Sequence, residues 1–273
     1  MIVHDNSGSN KSTLSLSSNV DIAKVVVTDA LMKFSRPAIV WSAGKDSTTV
    51  LHLVRDVCSS GNHNLPPCLF IDHGDHFSET MDFVHKLKID WGLNIISVSN
   101  TDVLRSIDKE GKIHVSTLSE KNRMEAEKVG FKGEWFEYSL GSAVGNHLLK
   151  TVPMNDAMVK YRLDALFTGI RWDENPSRAT ERFLSPRENP LHSRVQPILT
   201  FTERDIWNYI SRFKIPYHSL YAAGYRSIDG KMDSKKSADS PAWEQDLEHT
   251  QERAGRSQDK EEMMGKLRQL GYM

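Results

Sequence analysis

The sequence predicts a doubly wound α/β fold, in which a mostly parallel sheet carries helices on both faces. The first observation is a series of short apolar runs, rich in β-branched and aromatic residues, which are typical of strands buried on both sides. The second is that amphipathic stretches with helical periodicity separate these runs. Strands and helices that alternate in this way are joined by right-handed crossovers, so the strands lie parallel.

Four apolar runs bounded by polar, Gly or Pro residues are predicted as the strands of this sheet. They span residues 37–42, 67–72, 94–99 and 164–170. A further short strand is expected within residues 195–201, just before Thr202. Sheets of this kind bind ligands outside the carboxyl ends of their strands, so those ends are where a site is expected.

Helices are predicted after the first two strands and at three later positions. The apolar stripes of the first two consist of Val50, Leu53, Val54 and Val57, and of Met81, Val84, Leu87 and Trp91. Later helices are expected over residues 116–130 and 153–163. Another is expected after Thr202, because this N-cap residue precedes two acidic side chains and an amphipathic pattern.

The chain is expected to have three parts. Residues 1–18 are Ser/Asn-rich and are predicted to form a flexible tail, and residues 19–215 form the α/β domain. Residues 216–273 are polar and Gly/Ser-rich and end in a charged helical pattern. We expect this C-terminal extension to cover the site.

Charge and cysteine content exclude several classes of protein. The 35 basic and 36 acidic residues nearly cancel, so no global field attracts nucleic acid or a membrane surface. The two cysteines, Cys58 and Cys68, are too few for a disulfide framework or a four-cysteine iron–sulfur site within one chain. The chain starts without a basic and apolar leader, and no run approaches about 18 apolar residues, so a cytoplasmic protein is expected.

A polar loop of residues 42–47, "SAGKDS", follows the first predicted strand and opens a helix. Backbone N–H groups at such a helix start point toward an anion. Gly44 allows a phosphate to approach the backbone, Lys45 supplies a positive charge, and the Ser42 and Ser47 hydroxyls can donate. Asp46 would repel phosphate unless it caps the helix or acts through Mg²⁺.

The loop is not a Walker loop, because Ile39 stands where that motif needs its first glycine and Asp46 follows the lysine. The same six residue types also favour turns and helix N-termini, so a turn without a binding role is an equally good interpretation of this loop alone. A second signal is therefore needed.

Two later strand ends supply further polar residues. Asp72 follows the second strand, and a metal site formed by His73, Asp75 and His76 is conceivable, although a solvated loop is the favoured interpretation of that cluster. The fourth strand runs into "TGIRWDE", in which Arg171 is suited to bidentate contacts with phosphate or sulfate. Three strand ends therefore converge on one crevice.

Together these stretches resemble the adenine-nucleotide α-hydrolase superfamily with the pyrophosphatase-type loop Ser-Gly-Gly-x-Asp-Ser. Within it they resemble the family that joins the PAPS and APS reductases to the small subunit of sulfate adenylyltransferase. The resemblance covers about residues 36–273. The loop departs from the pattern by Ala43 in place of the first glycine, which we expect to be a small change.

The resemblance implies a role for each strand end. It implies that the catalytic residues are Lys45, Asp46 and Arg171, with Asp46 as the ligand of a Mg²⁺ ion that arrives with ATP. It implies that the nucleotide is bound by Ser42, Ala43, Gly44, Lys45, Ser47, Asp72 and Gly169. The substrate anion is assigned to Arg178, Arg226, Arg253 and Arg256.

The two branches of the family differ in their need for thiols. Segments "DHGDHFSET" and "IPYHSLYAAGYRSI" resemble the reductases, whereas residues 147–174 and 252–273 resemble the adenylyltransferase subunit. The reductases attack sulfur with a C-terminal cysteine, but no cysteine follows Cys68 here, and Gly145 and Asn146 stand where a cluster-binding Cys-Cys pair would fall. No iron–sulfur cluster is therefore expected, and Cys58 and Cys68 are predicted to be buried packing residues.

The sequence thus favours an enzyme that transfers an adenylyl group from ATP to an oxyanion such as sulfate and releases pyrophosphate. The resemblance implies a GTPase partner subunit, and a homo-oligomer is also considered. Four alternatives stay open. They are a reductase-like protein without its catalytic cysteine, an FMN adenylyltransferase-like enzyme, a nucleic-acid-modifying ATP pyrophosphatase, which the neutral charge disfavours, and a non-catalytic module that binds adenylates.

Overall fold

The computed structural model describes residues 14–250 and residue 252. Arg253 and Arg256, which were assigned to the substrate anion, lie outside the described residues, as does the predicted C-terminal helix. In the described part of the chain, no helix is both long and apolar enough to cross a membrane.

The described part contains the following strands and helices. The strands are β1 (Pro37–Val40), β2 (Cys68–Ile71), β3 (Ile95–Val98), β4 (Lys112–His114), β5 (Trp135–Glu137), β6 (Ala165–Phe167), β7 (Leu184–Glu188) and β8 (Leu191–Val195). The α-helices are α1 (Leu16–Lys33), α2 (Lys45–Gly61), α3 (Ser78–Trp91), α4 (Thr101–Arg105), α5 (Glu120–Lys128), α6 (Ala143–Asn146), α7 (Val152–Tyr161) and α8 (Glu203–Phe213). A π-helical turn, His147–Thr151, connects α6 to α7.

The main sheet has the strand order β3-β2-β1-β6-β8-β7, and all neighbours are parallel except β7 and β8. The predicted doubly wound, mostly parallel fold is confirmed. The direction of chain progression reverses between β1 and β6, which is the point where open α/β sheets form a ligand crevice. The loops that follow β1 and β6 are the ones that carry "SAGKDS" and "TGIRWDE".

Both faces of the sheet are covered, and side chains alternate between them as the two-residue period of a strand requires. In β1, Ile39 packs with the principal core, whereas Ala38 packs on the opposite face with Met154 and Met158 of α7. The principal core includes residues of α1, α2, α3 and α8. Strands β1, β2 and β6 are short but buried at their centres, which explains why they appear in the sequence as continuous apolar runs.

Helix α1 was not predicted. It begins at Leu16, inside the segment assigned to the tail, and the Ser15 side chain caps it by accepting from Ser18 N at 3.1 Å. Its buried positions include Val20, Ala23 and Val27, at helical spacing. Residues 16–18 therefore belong to the folded domain.

The region between β3 and β6 forms a smaller cluster of its own. Strands β4 and β5 pair antiparallel, and α5 falls within the predicted helical segment 116–130. Apolar residues such as Val103, Phe136 and Leu148 fill this cluster. Strands β4, β5 and β7 were not predicted, because polar or charged residues interrupt each of them and none forms an apolar run. The further strand, expected within residues 195–201, lies earlier in the chain, at Leu191–Val195.

Residues after α8 pack against the domain. Tyr221 and Ala242 are buried in the principal core, and the rings of Trp207 and Trp243 lie 5.4 Å apart between centroids. The segment after residue 216 therefore brings Tyr221 to the carboxyl edge of β1.

Candidate active site

The loop of residues 42–47 is tied together by its own polar groups. Ser42 N donates to Ser47 Oγ at 3.2 Å, and Ser47 Oγ donates to Gly44 O at 3.1 Å. Gly44 is the N-cap of α2 and forms no side-chain cap, so Asp46 lies in the first turn and does not cap the helix. The start of α2 thus leaves backbone N–H groups directed toward the crevice.

Ala43 has φ of +61°, the left-handed region that favours glycine. The family loop has a glycine at this position, and a residue with a Cβ costs about 1 kcal/mol in that conformation. The replacement is a small departure from the family's loop pattern, but it leaves a residue with a Cβ in a left-handed conformation. The loop keeps its shape because Ala43 is buried among core residues.

Two glycines leave room at the crevice. A Cβ on Gly44 would lie 3.4 Å from Ser42 Oγ and 3.5 Å from Tyr221 OH, so it would occupy space between polar groups that face the crevice. A Cβ on Gly169 would lie 2.9 Å from Ser47 N, too close for any side chain. Gly169 therefore allows the loop after β6 to pack directly on the first turn of α2.

Lys45 is almost completely buried beneath the loop. Its Nζ donates to Arg226 O at 3.2 Å, lies 3.4 Å from Asp46 Oδ2, and contacts Glu252 Oε1. Burial alone would lower the pKa of Lys45, but Asp46 and Glu252 outweigh burial and raise that pKa above its ordinary value. Lys45 is a permanent positive charge in the crevice.

Arg171, on the loop after β6, is likewise buried, and each of its three guanidinium nitrogens contacts a carboxylate. Nη1 contacts Asp46 Oδ1, Nε donates to Asp173 Oδ1 at 2.8 Å, and Nη2 donates to Glu252 Oε2 at 2.7 Å. Burial opposes the charged form, but Asp46 and Glu252 raise the pKa of Arg171 well above its usual value. The structure therefore brings the three predicted catalytic residues, Lys45, Asp46 and Arg171, into one contact network.

Glu252 bridges these two cations, with one carboxylate oxygen on Lys45 and the other on Arg171. Burial would raise the pKa of Glu252, but Lys45 and Arg171 outweigh it and hold that pKa well below the usual range. A carboxylate that accepts from both cations occupies the position that a bound anion would need. An anion that binds Lys45 and Arg171 together must displace Glu252.

Tyr221 closes the loop from the side of the C-terminal segment. Its hydroxyl accepts from Lys45 N at 2.9 Å, and burial raises the pKa of Tyr221 to about 12. The hydroxyl therefore keeps its own proton, which it can donate to a group in the crevice. Lys150 and Asp229, which pair with each other, also line the crevice.

The crevice between the β1 and β6 loops has a volume of about 280 Å³. Its described lining includes Ser42, Gly44, Lys45, Asp46, Ser47, Gly169, Tyr221 and Glu252. This volume lies near the lower end for small-molecule sites, which is consistent with Glu252 filling part of the space.

Arg226 does not face this crevice as an anion ligand. Its Nε and Nη2 donate to Glu203 Oε2 at 2.9 and 2.8 Å, and its Nη1 donates to Asp246 O at 3.2 Å. Nη2 also donates to Thr250 O at 3.0 Å. Because every nitrogen of the guanidinium group donates to the protein, the structure corrects the predicted role and makes Arg226 a residue that holds the segment before Glu252.

Two other predicted residues lie apart from the crevice. Arg178 is buried near the β7–β8 hairpin and is not among the described residues that line the crevice. Asp72 follows β2, and its carboxylate accepts from Gly74 N at 3.0 Å. Asp72 is also absent from the described lining. The structure therefore does not bring either residue together with Lys45.

The His-rich stretch after β2 is packed rather than solvated, contrary to the favoured expectation. His73 is buried, its ring lies 3.8 Å from that of His76 between centroids, and His76 also contacts Phe70. Asp75 Oδ2 accepts from Met232 N at 2.9 Å and so holds the later loop. Among the described residues, no group of three or more His, Cys, Asp or Glu side chains is arranged to hold a metal.

A single carboxylate is nevertheless sufficient for the predicted Mg²⁺. Magnesium keeps several waters and binds through one or two protein carboxylates together with substrate phosphates. Asp46 is a partly exposed carboxylate at the crevice, but its two oxygens contact Lys45 and Arg171, so it could hold the ion only after those contacts are exchanged for contacts with phosphates.

The cysteines are placed as predicted. Cys58 lies on α2 and Cys68 on β2, both buried and free, and burial raises the pKa of Cys68 to about 12. A Cβ on Gly145 would lie 2.0 Å from Ser139 O, so no cysteine fits there in this conformation.

Sequence reasoning missed Glu252, Tyr221, Glu203 and Asp173, all of which contact the predicted cations or their neighbours. Glu203 Oε1 lies 3.7 Å from Lys45 Nζ, and Asp173 Oδ2 accepts from Glu203 N at 2.7 Å. Asp173 and Glu203 each follow a motif that was recognised, "TGIR" and the Thr202 cap. Their acidity could have indicated partners for the buried cations.

Comparison with known proteins identifies relatives of this chain. Residues 36–236 match the family model described as the phosphoadenosine phosphosulfate reductase domain. Sulfate adenylyltransferase subunit 2 of Stutzerimonas stutzeri is 29% identical over 227 residues, which cover 74% of this chain and 65% of that protein. The protein of the same name from Geotalea uraniireducens is 28% identical and is covered to 66%. The chain thus spans slightly less than two thirds of these relatives' length.

Solved structures share the fold at low sequence identity. Candida glabrata FMN adenylyltransferase is 16% identical with a TM-score of 0.61, covering 89% of this chain and 88% of that one. Phosphoadenylyl-sulfate reductase from Candida auris, in a phosphate complex, is 19% identical with a TM-score of 0.57, covering 81% of this chain and 98% of that one. These similarities support the fold alone.

Proposed function

The chain belongs to the phosphoadenosine phosphosulfate reductase domain family, and from this premise we propose that it transfers the adenylyl group of ATP to an oxyanion such as sulfate. The observation that carries the proposal is the meeting of a glycine-lined helix start with buried Lys45 and Arg171 at the β1/β6 reversal point. That arrangement suits the phosphates of a nucleotide.

In the proposed reaction an oxygen of the acceptor anion attacks the α-phosphorus of ATP, and the bond from that phosphorus to the bridging oxygen breaks. Pyrophosphate leaves with the electron pair of the broken bond. Lys45 and the hydroxyls of Ser42 and Ser47 hold the leaving pyrophosphate, and Arg171 neutralises charge on the α-phosphate. Catalysis is by orientation and electrostatics, without a protein nucleophile.

Mg²⁺ that arrives with ATP would neutralise further phosphate charge, and Asp46 would supply a protein ligand for it. Asp46 can do so only if its contacts with Lys45 and Arg171 loosen when the phosphates bind. Glu252 must leave the two cations at the same step. The Ala43 and Gly44 backbone, with Gly169 opposite, would then enclose the phosphates.

The names of the relatives support this activity and its acceptor. They are called subunit 2 of a sulfate adenylyltransferase, so a partner subunit is part of the proposal, and the resemblance suggests a GTPase. Placement of the enzyme in the cytoplasm also belongs to the proposal. Arg253 and Arg256 stay proposed ligands of the acceptor anion.

The test is an assay of pyrophosphate release with purified protein, ATP, Mg²⁺ and sulfate, run alone and with a candidate GTPase subunit. We expect sulfate-dependent release together with an adenylated product. Lys45→Met should reduce the rate by about 10² to 10³, because a charge that stabilises the transition state is lost. The control Lys86→Met removes an exposed lysine that pairs with Asp90 on α3 and should leave the rate unchanged.

Three results would contradict the proposal. Tight ATP binding without pyrophosphate release for any acceptor would favour a binding module. Release that depends on FMN and not on sulfate would favour a flavin adenylyltransferase. Sulfite formation with thioredoxin would favour the reductase branch.

A further inference from the structure

The β7–β8 hairpin at the edge of the sheet carries a second group of buried cations. In the antiparallel register, Ser185 is opposite Arg194 and Arg187 is opposite His192, so these four side chains share one face. Arg178 approaches Arg194 from the turn that follows Arg171. None of the three arginines is among the described residues that line the crevice.

These arginines are buried to an unusual degree for charged side chains. Arg178 and Arg194 are each 7% exposed, and the Arg187 side chain is 16% exposed. In the described part of the chain, Nε of Arg194 and Nε of Arg187 are buried without a hydrogen-bond partner. Nε2 of His192 is likewise buried without a hydrogen-bond partner in the described part of the chain. Nδ1 of the same ring lies 2.7 Å from Pro190 O.

The negative charge nearby is small and already engaged. The charged groups around Arg194 are Arg187, Arg178 and one carboxylate, Glu181. Glu181 Oε2 accepts from Gln196 Nε2 at 3.0 Å and pairs with Arg187 Nη2 at 3.4 Å. Over residues 14–250 and 252, Arg194 forms no ion pair. Burial and the neighbouring arginines lower the pKa of Arg194 to about 10, so at neutral pH the guanidinium group stays charged.

Three buried cations that share one carboxylate, Glu181, are unfavourable, and an anion that reaches them lowers that penalty. Guanidinium groups present parallel N–H donors that match the oxygens of sulfate or phosphate. Because the arginines are so enclosed, a small anion fits better than the side chains of a protein surface. We propose that the β7–β8 hairpin binds a small tetrahedral oxyanion, sulfate or phosphate, at Arg194 and Arg187, separately from the crevice.

This site has a structural link to the crevice. The Glu181 carbonyl accepts from Trp172 Nε1 at 3.0 Å, and Trp172 follows Arg171 directly in the chain. An oxyanion that draws Arg178, Arg187 and Arg194 together holds the segment between Arg171 and the hairpin in place. The inference does not depend on the proposed activity, since it concerns only anion binding.

The test measures thermal unfolding of the full chain in sulfate, in phosphate and in chloride at equal ionic strength. We expect each oxyanion to raise the Tm of the unmodified protein with saturation, by about 2–4 °C at roughly five times its Kd. General stabilisation by sulfate and phosphate salts rises without saturation and is common to all variants. The saturating shift should fall clearly in Arg194→Met, which loses the part due to the hairpin, and should persist in full in Arg212→Met, a control that removes an exposed arginine of α8.

Lys45→Met separates the hairpin from the crevice, because it removes the central cation of the crevice and leaves the hairpin intact. The saturating shift should persist in Lys45→Met. If Arg194→Met does not fold, Arg187→Gln, at a less buried position, should reduce the shift. The proposal is overturned if neither oxyanion gives a saturating shift, if Arg194→Met or a folded Arg187→Gln retains the full shift, or if Lys45→Met abolishes it.

Discussion

The crevice and the β7–β8 hairpin both bury positive charge, but they balance it differently. In the crevice, the chain's own carboxylates surround Lys45 and Arg171, and Glu252 bridges the two cations. At the hairpin, the one carboxylate near Arg194 is engaged by other side chains. Buried cations in the crevice are therefore neutralised by contacts within the chain, which a ligand must replace, whereas Arg194 at the hairpin forms no ion pair in the described part of the chain.

The largest expected effect comes from removing one buried arginine from the crevice and, in a separate variant, one from the β7–β8 hairpin. Arg171→Met removes the cation that pairs with Asp173 and leaves Lys45 as the one cationic contact of Asp46 and Glu252 in the described part of the chain, so we expect the free energy of unfolding to fall by about 3–5 kcal/mol. Arg194→Met removes an uncompensated charge, so in chloride buffer the free energy of unfolding should stay the same or rise. Urea denaturation of both variants measures the difference.

Arg212→Met serves as the control for this pair, because an exposed arginine should change the free energy of unfolding by no more than about 0.5 kcal/mol. Equal losses in Arg171→Met and Arg194→Met would remove the distinction between the two regions.

A smaller effect, on ligand affinity, is expected when the carboxylate that bridges the two cations of the crevice is removed. Glu252→Gln removes the carboxylate that competes for Lys45 and Arg171, so Mg²⁺–ATP and pyrophosphate should bind roughly tenfold more tightly, about 1.4 kcal/mol. Isothermal titration calorimetry measures both ligands. Glu248→Gln, which alters an exposed glutamate four residues earlier, should leave both affinities unchanged. Weaker binding in Glu252→Gln would show that Glu252 helps to hold the ligand.

The smallest expected effect tests the backbone of the crevice without altering its charge. Ala43→Gly relieves a left-handed conformation, so the free energy of unfolding should rise by about 1 kcal/mol and Tm by about 2–4 °C. Ala222→Gly is the matched control, because Ala222 is exposed with φ of −68° and loses stability on the same change. A lower Tm for Ala43→Gly would mean that the methyl contacts of Ala43 outweigh its strain.

The central sheet and the crevice loops could be predicted because their signals are local. Strands β1, β2 and β6 are continuous apolar runs, and "SAGKDS" and "TGIR" come within one residue of the ends of β1 and β6. Parallel strands place their carboxyl ends at one edge, so the meeting of Lys45, Asp46 and Arg171 follows from topology. Helix α1 was overlooked although its buried residues have helical spacing, because a Ser/Asn-rich segment precedes it.

The partners of the buried cations could not be predicted, because they come from distant parts of the chain. Glu252 is 207 residues from Lys45 in sequence, and no local pattern sets it apart from other glutamates in a charged segment. Arg226 was assigned to the substrate anion by its charge alone. Its actual partners include backbone carbonyls of the segment before Glu252, which become visible only when that segment is folded.

The most direct test of the central claim is a crystal structure of the protein with Mg²⁺ and a non-hydrolysable ATP analogue. We expect the β- and γ-phosphates to lie at the start of α2 within hydrogen-bond distance of Lys45 Nζ, and Glu252 no longer to bridge Lys45 and Arg171. A nucleotide bound elsewhere, or one bound while Glu252 still holds both cations, would contradict it.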